Sequence, residues 1–238
     1  MKTIVHKADS RGFANHGWLQ ANHSFSFANF QNPDKMQFGA LRVLNDDTIA
    51  PKMGFSTHAH DNMEIITIPL SGELKHKDSM ANEWLSVKSG EVQVMSAGSG
   101  LKHSEINGSQ SNYLSLFQIW IIPNKKNVKP SYDQRAFNIE DRRNKFQTIV
   151  SSTDNKDEGL KIHQNAKISR VNLSLNKSII YKTISNKHGV YIMNVNGNVS
   201  VNAAIAESRD AIGIFNVDSF SISANLDSEL ILIEVPMH

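Results

Sequence analysis

Tyr113-Leu-Ser-Leu-Phe-Gln-Ile-Trp-Ile-Ile122 is apolar on both parities: Leu114, Leu116 and Trp120 share one, and Phe117, Ile119 and Ile121 share the other. That is the pattern of a β-strand buried on both faces. Outward from it, Phe220, Ile222 and Ala224 alternate with serines, as in a half-buried strand. Glu229-Leu-Ile-Leu-Ile-Glu-Val235 is a continuous apolar strand, preceded by Asp and Ser and stopped by Pro236. Turn residues punctuate the runs at Leu70-Ser-Gly72, Lys88-Ser-Gly-Glu91 and Asn194-Val-Asn-Gly-Asn198. No long stretch keeps a helical period. The expectation is an all-β fold, sandwich or barrel, with at most short helices.

The 238 residues fit one large domain or two small ones, and 39% hydrophobic content is enough to build a core. The apolar strand pattern lapses between about residues 124 and 160, where Asn124-Lys-Lys-Asn-Val-Lys-Pro130 is polar and Ile139-Glu-Asp-Arg-Arg-Asn-Lys145 is charged. Two β units are therefore expected, residues 1–140 and 141–238. A faint internal echo agrees: Val190-Tyr-Ile-Met-Asn-Val-Asn-Gly197 resembles Ile65-Ile-Thr-Ile-Pro-Leu-Ser-Gly72, and Asp210-Ala-Ile-Gly-Ile-Phe215 resembles Gly90-Glu-Val-Gln-Val-Met95.

Composition excludes several functions. With no cysteine, there is neither a disulfide nor a thiolate site, and any metal must be held by His and carboxylates. A formal charge of +2, with no basic run interleaved with aromatics, argues against direct nucleic-acid binding. No stretch is long and apolar enough for a membrane helix, and the N-terminal MKTIVHKADS lacks an apolar signal core, so a cytoplasmic protein is expected. Ser96-Ala-Gly-Ser-Gly100 has neither phosphate-loop nor dinucleotide spacing, and no Gly-x-Ser-x-Gly elbow is present.

The chemistry gathers in two short pairs. Phe55-Ser-Thr-His-Ala-His-Asp-Asn-Met-Glu64 runs into an apolar strand, and residues two apart on a strand point the same way. His58 and His60 thus share a face, and Glu64 has matching parity. Gly98-Ser-Gly-Leu-Lys-His-Ser-Glu105 supplies a second pair, His103 and Glu105. Ten histidines make one His-x-His an unremarkable accident, so the second pair, flanked by turn glycines, is what suggests a site. If the two strand ends are neighbours, four side chains converge. His76 and Asp78, also of one parity, either line the same cavity or decorate a strand.

The segment from His58 through Glu105 resembles the first cupin domain of pirin-like proteins, which are bicupins. Further matching stretches are Asn15-His-Gly-Trp-Leu19, His23-Ser-Phe-Ser-Phe27, Leu41-Arg-Val-Leu-Asn-Asp-Asp47, His76-Lys-Asp-Ser-Met80 and Gln118-Ile-Trp-Ile121. The similarity is greatest to short bacterial members assigned as quercetin 2,3-dioxygenases. It implies two antiparallel β-barrels, an N-terminal metal-binding one and a compact, metal-free second one. It also implies one divalent transition metal on His58, His60, His103 and Glu105, with Glu64 as the competing carboxylate. Iron is the first expectation, with Mn, Ni, Cu and Zn equally suited to three imidazoles and one carboxylate. The implied reaction cleaves a small aromatic, flavonol-like substrate with O2 and releases carbon monoxide, Glu105 accepting the substrate's hydroxyl proton. The alternative is a metal- or redox-sensing regulator acting through a protein partner. Where the family usually has His-Pro-His, this chain has His58-Ala59-His60. In the second half, the place of the His-x-His motif falls near Asn186-Lys-His-Gly-Val190, which offers only His188.

Overall fold

The computed structural model describes residues 1–237. Apart from three 3-10 turns at Ala8–Ser10, Pro33–Lys35 and Ile139–Arg142, its regular structure is all strand. The first half contributes β1 (Lys2–His6), β2 (Gly12–Asn15), β3 (Leu19–His23), β4 (Leu41–Ile49), β5 (Gly54–His60) and β6 (Glu64–Ser71). It continues with β7 (Glu73–Asp78), β8 (Leu85–Lys88), β9 (Glu91–Ser96), β10 (Leu101–Asn107), β11 (Leu114–Ile121) and β12 (Ser131–Ala136). The second half contributes β13 (Gln147–Ser152), β14 (Leu160–Ile162), β15 (Lys167–Leu173), β16 (Ser178–Lys182) and β17 (His188–Asn196). It ends with β18 (Asn198–Val201), β19 (Ala204–Glu207), β20 (Ala211–Phe215), β21 (Ser219–Ala224) and β22 (Ser228–Pro236). Among the described residues, no helix is long and apolar enough to cross a membrane.

These strands form four layers. In the first half a seven-stranded sheet, β12-β9-β6-β11-β4-β3-β2, faces the four-stranded β5-β10-β7-β8. The second half repeats the order with β1-β20-β17-β22-β15-β13-β14 facing β16-β21-β18-β19. The two parities of β11 explain the stacking. Phe117, Ile119 and Ile121 enter a core between the two large sheets, where Ile168, Tyr191, Met193, Ile231 and Ile233 meet them. Leu114 and Leu116 turn the other way, against Leu74 and Val87 of the small sheet. A strand in the middle layers must therefore be apolar on both faces, as the sequence of β11 is.

The internal echo is topological. β6 and β17 hold the same place in their sheets, and so do β9 and β20. The glycines that end the first pair, Gly72 and Gly197, have φ of 87° and 98°, backbone that a side chain would strain. The same equivalence corrects one expectation. The counterpart of β5, which carries His58 and His60, is β16, Ser178–Lys182, and not the segment around His188. His188 instead opens the counterpart of β6, with both ring nitrogens bonded, to Ser185 Oγ and the Asn165 carbonyl at 2.8 and 2.9 Å.

Two details of the antiparallel-barrel expectation are also corrected. The large and small sheets are not hydrogen-bonded into closed barrels, and β13 pairs with β14 in parallel. Each large sheet is longer than the small sheet it faces, so its outer strands find partners elsewhere. β1 crosses over to edge the second half's sheet, with Ile4 opposite Gly213 and an ion pair between Lys7 and Asp210.

Phe38 locks this seam. It is 2% exposed, its ring stands 5.5 Å from Tyr191 and 6.1 Å from Phe215, and a Cβ on Gly213 would sit 2.7 Å from it. Phe38→Ala should destabilise the chain by about 3–5 kcal/mol, read from the midpoint of urea unfolding.

Candidate metal centre

β5 and β10 run antiparallel with His58 opposite His103 and His60 opposite Leu101, which brings both sequence motifs to one end of the small sheet. The three imidazoles cluster, with ring centroids 4.4 Å apart for His58–His103 and 4.9 Å for each of the other pairs. One nitrogen from each lies within 4.8 Å of the others. His58 Nδ1 lies 2.8 Å from the Ser56 carbonyl, which accepts a hydrogen bond from an Nδ1–H and so fixes the tautomer whose lone pair is on Nε2. That Nε2 stands 2.9 Å from His103 Nε2. Two imidazole lone pairs at this distance repel unless a proton or a cation joins them. Two ligands at right angles on metal–nitrogen bonds of about 2.1 Å would stand about 3.0 Å apart.

Electrostatics also favours a cation. Burial and the neighbouring imidazoles push His103 down to about 2 and His60 down to about 4, so both rings are neutral donors at physiological pH. Glu105 Oε1 is buried with no hydrogen-bond partner among the described residues. The residues fit a divalent metal bound by imidazole and carboxylate.

Glu105 joins this group through His103. β10 slips in register against β5 between His103 and Glu105, while against β7 it places His103 opposite Asp78 and Glu105 opposite His76. Ligand atoms of His76, His103 and Glu105 form a second set within 4.8 Å. His76 is fully buried and engaged on both sides: Nδ1 accepts from Gln93 Nε2 and Nε2 donates to Asp78 Oδ2, each at 3.2 Å. It stands beside the imidazole cluster as a tied neighbour of Glu105. Glu64 goes elsewhere. It is 1% exposed, accepts from Ser96 Oγ at 2.5 Å and from the His163 backbone, and does not line the cavity beside the histidines. The turn between β5 and β6, where Asn62 has φ of 44°, resets the parity that the sequence suggested.

The floor of the site is a polar row absent from the sequence expectations. His23, Asn45, Gln118, Thr67 and Gln93 stand at one register level on adjacent strands β3, β4, β11, β6 and β9. All are at most 9% exposed, and each is bonded. His23 Nδ1 meets Asn45 Oδ1 at 2.9 Å, and Thr67 Oγ1 donates to Gln118 Oε1 at 3.2 Å. Gln118 Nε2 donates to Glu105 Oε2 at 3.2 Å, and Gln93 holds His76. The available signal was a lone polar residue inside an otherwise apolar strand: Gln118, Thr67 and Gln93 each interrupt one.

Above this floor lies a cavity of about 450 Å3, walled by Trp18, Phe27, Phe55, Ile65 and Trp120, with His58, His60, His103 and Glu105 on one side and Asn45, Asp47 and Gln118 on the other. Asp47 Oδ1 and Trp120 Nε1 have no hydrogen-bond partner among the described residues. Burial, with Asp46 and Glu105 nearby, pushes Asp47 up to about 8.

Burial likewise raises Glu105 to about 7 from 4.5. A carboxyl raised on folding contributes stability below its unfolded pKa and loses it as pH rises through the folded value. In chelator-treated protein, Glu105→Gln should therefore be more stable than the parent at pH 8, by on the order of 3 kcal/mol. The gap should shrink toward pH 5, as followed by urea unfolding at each pH.

Comparisons with known proteins agree with this architecture. The family model "Pirin" matches residues 5–121, and "Quercetinase C-terminal cupin domain" matches residues 149–235. Quercetin 2,3-dioxygenase of Escherichia coli K12 is 42% identical over 232 residues, 98% of each chain. A pirin-like protein of Caulobacter vibrioides is 39% identical over 95% of this chain and 96% of its own. Among solved structures, the bacterial pirin YhhW of Escherichia coli in complex with nickel(II) superposes with a TM-score of 0.92, at 40% identity and covering 99% of both chains. Its sequence and its fold alike make this chain a member of the pirin family.

Proposed function

We propose that the chain is a metal-dependent dioxygenase of the quercetin 2,3-dioxygenase type, acting on flavonol-like aromatic substrates with O2. Residues 1–140 would carry the centre on His58, His60, His103 and Glu105, and residues 141–238 would form a second domain without a metal. The observation that carries this reading is the gathering of three imidazoles and a buried carboxylate on the wall of an aromatic-lined cavity of about 450 Å3. That volume falls within the range of about 300–1,000 Å3 usual for small-molecule sites. The E. coli relative named quercetin 2,3-dioxygenase and the nickel(II) complex of YhhW support the substrate class and a divalent ion respectively.

When bound, a divalent cation supplies a Lewis acid that favours an ionised substrate hydroxyl and a template for the reactants. The chain's own residues do the rest. Ser56 fixes the His58 tautomer, and Gln118 holds Oε2 of Glu105, which orients the carboxylate to take the substrate hydroxyl's proton. Trp18, Phe27 and Phe55 flank a flat aromatic ring and exclude water. Asp47 Oδ1 and Trp120 Nε1 are positioned to meet further substrate polar atoms.

The test is an aerobic assay after reconstitution with Fe, Mn, Ni, Cu or Zn. At least one metal should support quercetin loss with matching O2 uptake and carbon monoxide release. Glu105→Gln should lower kcat by about 10²–10⁴-fold. His103→Ala should lose both metal and turnover. Retention of metal by the parent with no turnover under any reconstitution would remove the dioxygenase assignment.

A further inference from the structure

A second cavity, of about 630 Å3, opens at the seam between the two large sheets, lined by Leu70 and Gly90 of the first half and by Arg170, Arg209 and Glu229 of the second, with Arg142 from the connection. Three guanidinium groups thus face one carboxylate. Arg142 is 7% exposed and Arg170 4%, and both lean on the same oxygen, Glu229 Oε1, at 3.0 and 2.6 Å. Arg209 is drawn toward Asp46 at 3.5 Å, but Asp46 already takes Arg11 at 3.1 Å.

The donors outnumber the acceptors as well. Arg142 Nε, Arg170 Nε and Nη1, and Arg209 Nη1 are buried with no partner among the described residues. A guanidinium stays charged at any physiological pH, so burial cannot be relieved by losing the proton. A purely structural ion pair would match charge with charge. Here one carboxylate oxygen serves two buried cations, and the mutual repulsion of Arg142 and Arg170 adds to the cost of burial on Arg142. The missing partner is an anion with several acceptor oxygens, because the planar guanidinium fork pairs with carboxylates and phosphates two bonds at a time.

We propose that this cleft binds a small oxyanion, a phosphate or a short carboxylate, joining Arg142 and Arg170 to Arg209 on the second half's side of the seam. The site is separate from the histidine cavity and does not depend on the reaction proposed for it. Glu229 acts as the internal occupant that a ligand must displace or share.

The test is thermal unfolding of the full chain with its metal in place, titrated with inorganic phosphate in one arm and succinate in the other. Chloride at equal ionic strength is the control. The melting temperature should rise with ln(1 + [anion]/Kd), by about 3–6 °C at ten times Kd. The arm whose rise sets in at the lower concentration names the ligand class. Glu229→Gln, which removes the internal competitor, should bind the same anion at least tenfold more tightly. Arg209→Gln, at a half-buried position that the fold tolerates better than Arg170, should weaken it by a similar factor. The proposal is overturned if neither anion exceeds the chloride control in the parent and in Glu229→Gln. It is equally overturned if Arg209→Gln and Arg170→Gln both respond as the parent does, since the anion would then sit elsewhere.

Discussion

Five polar side chains buried in one line across a β-sheet must all find partners, and the first half of this protein is arranged around meeting that demand. His23, Asn45, Gln118, Thr67 and Gln93 lie on the inner face of the large sheet, where apolar residues would otherwise pack. A buried amide left unbonded costs about 1–3 kcal/mol, so the row cannot simply be hidden. Each of its members is bonded, within the row or by reaching up to Glu105 and His76, while Gln93 Oε1 has no partner among the described residues. That reach fixes the carboxylate beside His103. The apolar clusters on either side, around Leu114 at one level and Met95 at another, keep the polar level from spreading.

The second half shows the same topology without the constraint. Between its two sheets lie Val171, Leu173, Val190, Ile192, Phe220 and Ile222, a packed apolar interior. Its buried carboxylate, Glu234, is bound by Tyr181 and paired with Lys167. One sandwich therefore offers a polar-floored cavity, and the other offers a rigid back. Between them the two large sheets share an apolar core, so the floor of the site is backed by the two sheets of the second half. At the edge of that core, where Arg142 and Arg170 enter, the seam becomes charged.

How much of this could be read from the sequence follows from which signals are local. The two-faced burial of Leu114–Ile121 and the parity of His58 with His60 need only a strand period, and both are found as expected. The pairing of β5 with β10 was a conditional expectation that the register meets. The parity argument failed for Glu64 because three residues of turn separate it from His60, and a strand period does not survive a turn. The polar row was illegible for a different reason. Gln118, Thr67 and Gln93 are far apart in sequence, and only the register of β11, β6 and β9 makes them neighbours. Likewise, nothing local marked β16 as the counterpart of β5, since the equivalence lies in sheet order.

The central claim is that three imidazoles and Glu105 form a metal centre held by this row. Elemental analysis of the chain purified without added metal, alongside His103→Leu and Gln118→Leu, tests it most directly. About one transition-metal ion per chain is expected in the parent, none in His103→Leu, and a reduced occupancy in Gln118→Leu. A parent without bound metal that also fails to take up any divalent transition metal on titration would contradict it.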